Sequence, residues 1–280
     1  VGVAGAAAPV GGETVRLNNG QAFPLASFGL QIYDDDTAQR LTETALSVGY
    51  RNFFASVLAR NQRGFARAVA KAGVPREELY ICGTVLSNRA RGFESAYQLT
   101  KRGCKENLEA FAVGGISYVD MIMLDYPAGD CESIRGQWKA FEEMLAEGTT
   151  KSLAVSNFSP EQLDCILANA SATVPAVNQL PFSVGSYDPA AVAENGKRGV
   201  HVQAWSPLAS GRLQRPAAKT CAEIGKAYGK SAAQVALRWI VQSGASFATQ
   251  TKSKAHFEED INIFDFKLTD EELRKLSSFA

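Results

Sequence analysis

The apolar and polar positions of this chain alternate between two kinds of segment. Short, mostly apolar runs predict β-strands, and longer amphipathic runs with the helical period follow them. A nearly unbroken apolar run, such as 118–124, is typical of a strand with both faces buried. The predicted strands cover 25–30, 51–54, 79–85, 118–124, a fifth run from 151 to the pair Ser156-Asn157, 174–179, 199–205 and 245–249.

The amphipathic runs predict helices between these strands, with further helices near the C-terminus. They cover 34–47, 62–72, 94–111, 133–146, 159–168, 189–195, 217–228, 231–241, 254–261 and 269–278. Ahead of the first strand, 14–17 and 21–23 flank an Asn-Gly turn and predict a β-hairpin. Eight strands, each followed by a helix, predict an α/β fold, a (β/α)8 TIM barrel with an N-terminal hairpin.

The length of 280 residues suits one barrel domain, which we expect over 14–280. Residues 1–13 are rich in Ala, Gly and Val, and we expect them to form a flexible leader. The first residue is Val1 rather than Met, as it would be after removal of a targeting segment. That interpretation favours an organelle such as a plastid, and the cytoplasm is the alternative.

Composition excludes several classes of function. The 29 basic and 29 acidic residues balance, so nothing favours a nucleic-acid or anionic membrane partner. No apolar run is long enough to predict an integral membrane protein. The five cysteines are scattered along the chain and include no CxxC pair. This pattern predicts reduced thiols, with neither a zinc site nor a disulfide framework. They are Cys82, Cys104, Cys131, Cys165 and Cys221.

A Ser-Asn pair lies where the fifth predicted strand ends. Polar residues at the C-terminal ends of barrel strands meet ligands, and the side chains of Ser156 and Asn157 can each donate and accept hydrogen bonds. The pair is therefore suited to hold a carboxamide. The alternative is that Asn157 caps the following helix, and the local sequence alone favours that cap.

Several motifs in the predicted order resemble those of the aldo-keto reductase family, from residue 14 to the C-terminus. They are Gly49-Tyr50-Arg51, Trp138-Lys139-Ala140-Phe141, Ala154-Val155-Ser156-Asn157-Phe158, Val177-Asn178-Gln179, Trp205-Ser206-Pro207-Leu208, Ala236-Leu237-Arg238-Trp239 and Phe264-Asp265-Phe266. The resemblance implies a barrel that reduces carbonyls with NADPH. A Tyr donates the proton, helped by a Lys that is paired to an Asp, while a His orients the carbonyl.

The four positions of that catalytic tetrad carry different residues here. Phe54 stands at the Asp position, Ala59 at the Tyr, Thr84 at the Lys and Asp125 at the His. A methyl group cannot donate a proton, and a carboxylate would repel a developing oxyanion. The sequence therefore predicts no catalytic residue of the family type and no metal ligand.

The nicotinamide end of the family's cofactor site is retained in the sequence. The resemblance implies that Ser156, Asn157 and Gln179 hold the nicotinamide carboxamide. It also implies that Trp205 stacks on the nicotinamide ring. Ser206 and Leu208 correspond to the phosphate-side loop that follows.

The adenosine end is altered. The family's cations for the 2′-phosphate fall on Gln250 and on His256, and neither replaces a permanent positive charge. The cofactor is therefore unknown. NADP(H) remains possible, with a weakened phosphate site.

Three functions follow as hypotheses. The first is a catalytically impaired aldo-keto-reductase-like protein, a pseudoenzyme acting as a binding or structural subunit with protein partners in a larger assembly. The second is an NAD(P)H-dependent oxidoreductase with a rearranged proton donor. The third is a non-redox enzyme that uses the cavity where the family reduces its substrates.

Four residues are expected near the mouth of the barrel, where they would take over the role of the missing tetrad: Tyr33, Arg60, Asp125 and Tyr126. Asp125 would serve as an acid only if burial raised its pKa. A solvated or hydrogen-bonded loop carboxylate is the favoured interpretation of this residue.

Overall fold

The computed structural model describes residues 12–209, 213 and 215–279. Residues 1–11, and with them most of the predicted leader, lie outside the described part. Within it, no helix is long and apolar enough to cross a membrane.

The central element is a closed barrel of eight parallel strands. Its strands, in chain order, are β3 (Ala26–Gly29), β4 (Asn52–Phe54), β5 (Tyr80–Val85), β6 (Met121–Leu124), β7 (Leu153–Ser156), β8 (Val177–Pro181), β9 (His201–Trp205) and β10 (Ser246–Thr249). Each strand pairs with its neighbour in sequence, and β10 closes the barrel against β3. The predicted (β/α)8 fold is confirmed.

An antiparallel hairpin of β1 (Thr14–Arg16) and β2 (Ala22–Pro24) precedes the barrel, as predicted. Its turn docks against backbone near the beginnings of the strands. Asn18 donates to the carbonyl of Pro175, and Asn19 to that of Lys151, at 2.9 and 3.1 Å. The hairpin therefore covers the N-terminal end of the barrel and leaves the C-terminal end open for a ligand.

Ten helices lie within the described residues. They are α1 (Asp35–Val48), α2 (Gln62–Ala72), α3 (Phe93–Ala112), α4 (Cys131–Ala146), α5 (Pro160–Leu167), α6 (Ala191–Gly196), α7 (Arg215–Tyr228), α8 (Ala232–Gln242), α9 (Lys254–Ile261) and α10 (Asp270–Ser277). Their apolar faces pack against the outside of the barrel in the main core. Helix α4 begins two residues earlier than predicted because the Asp130 side chain caps it by accepting from the Ser133 amide.

The interior of the barrel forms a separate apolar cluster, which Phe23 of the hairpin joins. Phe54, 1% exposed, belongs to this cluster, together with Met121 and Met123 of β6. Phe54, which the family resemblance places at an aspartate position, thus contributes apolar packing.

Two expectations about helix capping and the cysteines are wrong. Asn157 does not cap the helix after β7, since Ser159 does so in a capping box with Gln162. The cysteines are not all reduced thiols, because Cys131 of α4 and Cys165 of α5 form a disulfide. Spacing in sequence gave no sign that these two helices place their cysteines side by side. The other three cysteines are free and buried.

Candidate functional site

A cavity of about 270 Å³ opens at the C-terminal end of the barrel. The ends of four consecutive strands supply its polar wall, with Asp125 after β6, Ser156 and Asn157 at β7, Gln179 in β8 and Trp205 at β9. Four of the residues predicted to hold a nicotinamide are thus brought together, and Asp125 is beside them.

Asn157 is fixed in an uncommon backbone conformation at the centre of this wall. Its φ is 62°, in the left-handed region that few residues other than glycine adopt. The Asn157 Nδ2 donates to Ser156 Oγ at 3.0 Å, and its Oδ1 accepts from Trp205 Nε1 at 3.0 Å. These contacts hold the amide toward the cavity and fix the plane of the indole. Side-chain contacts of this kind oppose the cap interpretation.

Gln179 is anchored from behind by a chain of buried amides. Its Nε2 donates to Gln203 Oε1 at 2.7 Å, and Gln203 Nε2 donates to Ser27 Oγ at 3.1 Å. No donor among the described residues bonds Gln179 Oε1, so this oxygen is free to accept from a ligand.

The sequence reasoning missed Gln203. A signal was present, because Gln203 lies two residues before Trp205 on a predicted strand and therefore shares its face.

Two of the positions that the family resemblance assigns to the catalytic tetrad, Thr84 and Ala59, belong to neighbouring parts of the backbone. Thr84 Oγ1 accepts a hydrogen bond from the backbone amide of Val57 at 2.9 Å, which ties the loop after β4 to β5. Ala59 lies on that same loop and is half-buried. Neither side chain can supply a proton or a cation to the cavity.

Asp125 departs from the favoured interpretation of the sequence. It is 7% exposed rather than solvated, and its Oδ2 is buried without a hydrogen-bond partner in the described residues. Burial raises the pKa of this carboxyl to about 6 from an ordinary value of 3.8. Its backbone carbonyl accepts a long hydrogen bond from Asn157 Nδ2 at 3.4 Å. The residue is therefore a buried, isolated carboxyl at the cavity wall.

The rim of the cavity is apolar and exposed. Ile32 is 68% exposed, Leu58 52% and Tyr126 41%. Of the residues expected at the mouth, only Asp125 and Tyr126 line the cavity. Tyr33 is instead buried and stacks on Phe28, with ring centroids 6.1 Å apart.

A second cavity of about 290 Å³ adjoins the first and shares Ile32, Ser206 and Gln250 with it. Leu208 lines this second cavity, so both predicted phosphate-side residues, Ser206 and Leu208, border one continuous groove. Ser206 also has a positive φ, 49°, as Asn157 does.

The positive charge near the far end of the groove comes from lysines, with Lys252 Nζ 5.9 Å from the centroid of the Tyr33 ring. Gln250 Nε2 donates to Gln31 Oε1 at 2.8 Å across the rim. The exposed ring of His256 pairs through Nδ1 with Thr251 Oγ1 at 3.3 Å, and Lys254 pairs with Glu258 at 3.5 Å. The described residues there offer no arginine for a phosphate.

A family model for the aldo/keto reductase family matches residues 23–280. The chain belongs to the aldo/keto reductase family.

Proteins of Mycolicibacterium are among the relatives in this family. An aldo-keto reductase of Mycolicibacterium smegmatis is 31% identical over 264 residues, which is 94% of this chain and 89% of the relative. Another from Mycolicibacterium vanbaalenii is 32% identical over 263 residues, with 94% and 90% of the two chains covered.

Solved aldo/keto reductases superpose on the barrel. The crystal structure of one from Brucella melitensis matches with a TM-score of 0.86 at 26% identity, covering 95% of this chain and 99% of that one. The enzyme MGS-M4 from a deep-sea metagenome library has the same TM-score at 24% identity, covering 95% and 94%, and supports the fold alone.

Proposed function

We propose that this chain is a nicotinamide-dinucleotide-binding pseudoenzyme of the aldo/keto reductase family. The observation that carries the proposal is an asymmetry within one cavity. The side chains that would hold a nicotinamide form a connected network, whereas Phe54, Ala59 and Thr84 provide packing or loop contacts in place of a proton relay.

The donor set of the cavity fits a nicotinamide. A carboxamide needs donors for its oxygen and acceptors for its nitrogen. Asn157 Nδ2 is the donor, because one of its hydrogens makes only a long bond of 3.4 Å to the Asp125 carbonyl, whereas Ser156 Oγ already donates to the Gln179 carbonyl at 3.1 Å. Gln179 Oε1 is an acceptor without a competing partner in the described residues. The indole of Trp205, held by Asn157, offers a flat face on which the ring would stack. Bound there, the nicotinamide would supply hydride chemistry.

The residues at the adenosine end favour weak discrimination between NAD(H) and NADP(H). A 2′-phosphate favours a permanent cation, and Gln250 is neutral and already bonded to Gln31. We therefore infer that NAD(H) and NADP(H) bind with similar affinity.

Carbonyl reduction by the family route lacks its proton donor. An unperturbed tyrosine titrates near about 10 and needs help to donate at neutral pH, and here both the Tyr and the Lys that helps it are replaced. The remaining titratable groups that line the cavity are Asp125 and Tyr126. At neutral pH most Asp125 carboxyls are ionised, and an anion opposes charge on a substrate oxygen.

The proposal extends to a binding or structural subunit of a larger assembly. Its support is the exposed apolar rim of Ile32, Leu58 and Tyr126, since exposed apolar patches mark interaction surfaces. Gel filtration of a native extract, with antibody detection of the chain, tests this extension. We expect elution well above the 30.0 kDa of the single chain, and elution at that mass would refute the assembly.

Calorimetry and turnover together test the pseudoenzyme proposal. Titration of the purified chain with NADPH and NADH should give saturable binding, while a panel of aldehydes with NADPH should give no turnover above buffer. A Trp205→Leu variant should lose binding, and Tyr187→Phe, which removes a hydroxyl bonded only to the Ser277 carbonyl, is the control. Absence of binding at millimolar cofactor would contradict the proposal.

One observation favours a second candidate, an oxidoreductase with a rearranged proton donor. The unpartnered Oδ2 of Asp125, with its pKa raised to about 6, is a carboxyl able to carry a proton in mildly acidic solution. In that case aldehyde turnover would increase as the pH falls toward 6, and Asp125→Asn would abolish it. Turnover that survives this substitution would exclude Asp125 as the donor.

A further inference from the structure

We propose that the Asp125 carboxylate makes the nicotinamide end of the cavity selective for the oxidised, cationic ring over the reduced, neutral one. The inference rests on the proposed function, because it requires a dinucleotide in the groove. It goes further by naming the redox form that the site takes.

The first argument is the unbalanced charge of Asp125. A buried ionised carboxylate without a partner is costly, and Oδ2 has no hydrogen-bond partner among the described residues. Asp125 lines the same cavity as Ser156, Asn157 and Trp205, which hold the ring in the proposed complex. A cationic ring there would compensate the buried charge, whereas a neutral ring would leave it isolated.

The second argument is that nothing else in the cavity reverses the field. No lysine, arginine or histidine is among the described residues that line it. At the position where the family resemblance implies a lysine, Thr84 is fully buried and bonded to the Val57 amide. Asp125 is therefore the one acidic or basic side chain among the described residues that line the cavity.

The indole of Trp205 acts in the same direction. The indole lines the cavity, and its Nε1 donates to Asn157 Oδ1 at 3.0 Å, which restrains its orientation. The negative face of an aromatic ring attracts a cation, with tryptophan the most effective of the aromatic residues. Carboxylate and indole face thus both favour the oxidised ring.

The test compares the two redox forms of one dinucleotide, so that the adenosine end is the same in both. Calorimetric titration with NAD⁺ and NADH, and separately with NADP⁺ and NADPH, gives the two ratios of dissociation constants at pH 7.5. We expect the oxidised form to bind at least about tenfold more tightly, which is the attraction of opposite charges about 12 Å apart at an effective dielectric constant of about 20, and a shorter separation would raise the ratio. Equal binding, or tighter binding of the reduced form, would overturn the inference.

Variants assign the selectivity to Asp125. Asp125→Asn keeps the shape of the side chain, and it should bring the ratio of the two dissociation constants close to the value set by the indole alone. Asp125→Ser serves if the first variant does not fold. Asp188→Asn is the matched control, since Asp188 is exposed, lies in a neighbouring cavity and keeps its bond to the Ala190 amide. A ratio unchanged by both Asp125 variants would also overturn the inference.

The two proposals fail in different ways. If neither redox form binds, the proposed function falls and the selectivity falls with it. If both forms bind with equal affinity, dinucleotide binding stands and only the role of Asp125 is wrong.

Discussion

Replacing Asp125 by asparagine should stabilise the protein at neutral pH. Folding moves this carboxyl from water, where its pKa is 3.8, to a buried position where the pKa is about 6. One pKa unit corresponds to about 1.4 kcal/mol, so the difference amounts to about 3 kcal/mol against the folded state when the group is ionised. Asparagine has nearly the same shape and carries no charge.

The sign of the pH dependence follows from proton binding. Between pH 3.8 and about 6 the folded protein retains the Asp125 proton, while the unfolded chain has lost it. The contribution of this residue to the free energy of unfolding therefore falls as the pH rises through that window and stays low above it. The advantage of Asp125→Asn should accordingly be absent near pH 4 and grow to about 3 kcal/mol by pH 7.

Urea unfolding followed by tryptophan fluorescence, at half-unit steps from pH 4 to pH 8, measures this difference. The other titrating groups are common to both proteins and cancel in the comparison. Asp36→Asn is the control, because the Asp36 side chain is 93% exposed and its substitution should change stability by no more than about 0.5 kcal/mol at any pH. A difference between wild type and Asp125→Asn that does not vary with pH would refute the reasoning.

Three further predictions concern other parts of the molecule. Reduction of the Cys131–Cys165 disulfide, which spans 34 residues of sequence, should lower the free energy of unfolding by about 3 to 4 kcal/mol in urea melts, and Cys131→Ser should match it; an unchanged midpoint would show that the bond adds no stability. Phe54→Ala should cost about 3 to 5 kcal/mol because a fully buried ring leaves a cavity, and a loss below about 1 kcal/mol would place the ring outside the core. By calorimetry, NADPH and NADH should bind wild type within about fivefold of each other, and Gln250→Lys should favour NADPH by about tenfold, since it adds a cation for the 2′-phosphate; a strong wild-type preference for NADPH would contradict this account of the groove.

The barrel was predictable because its signals are local and repeated. Each strand is a short apolar run and each helix an amphipathic one, so an error at one boundary does not change the order of elements. The boundaries moved where a side chain decides them. Asp130 lengthens α4, and Ser159 rather than Asn157 caps α5, because capping depends on which side chain reaches the free amides.

The wall of the proposed cofactor site was predictable as a set of positions, since the strand ends meet at one end of a barrel. The hydrogen bonds within this wall were not predictable, because they join residues far apart in sequence. The bond from Trp205 to Asn157 spans 48 positions, and the one from Gln203 to Ser27 spans 176.

The environment of Asp125 was the largest error. A carboxylate after a strand, in a loop with Tyr126 and Pro127, has the local appearance of a solvated residue. Its burial results from tertiary packing, which sequence pattern does not contain. The disulfide between Cys131 and Cys165 was missed for the same reason, since only the packing of α4 against α5 brings the two residues together.

The most direct test of the central claim is a single-turnover measurement of hydride transfer. The chain is saturated with NADPH, mixed rapidly with a reactive aldehyde such as 4-nitrobenzaldehyde, and followed by absorbance of the reduced nicotinamide at pH 7. We predict that the bound NADPH remains reduced at the rate seen in buffer alone, because no donor stands at the tetrad positions Phe54, Ala59 and Thr84. A stoichiometric loss of NADPH faster than that background would contradict the account.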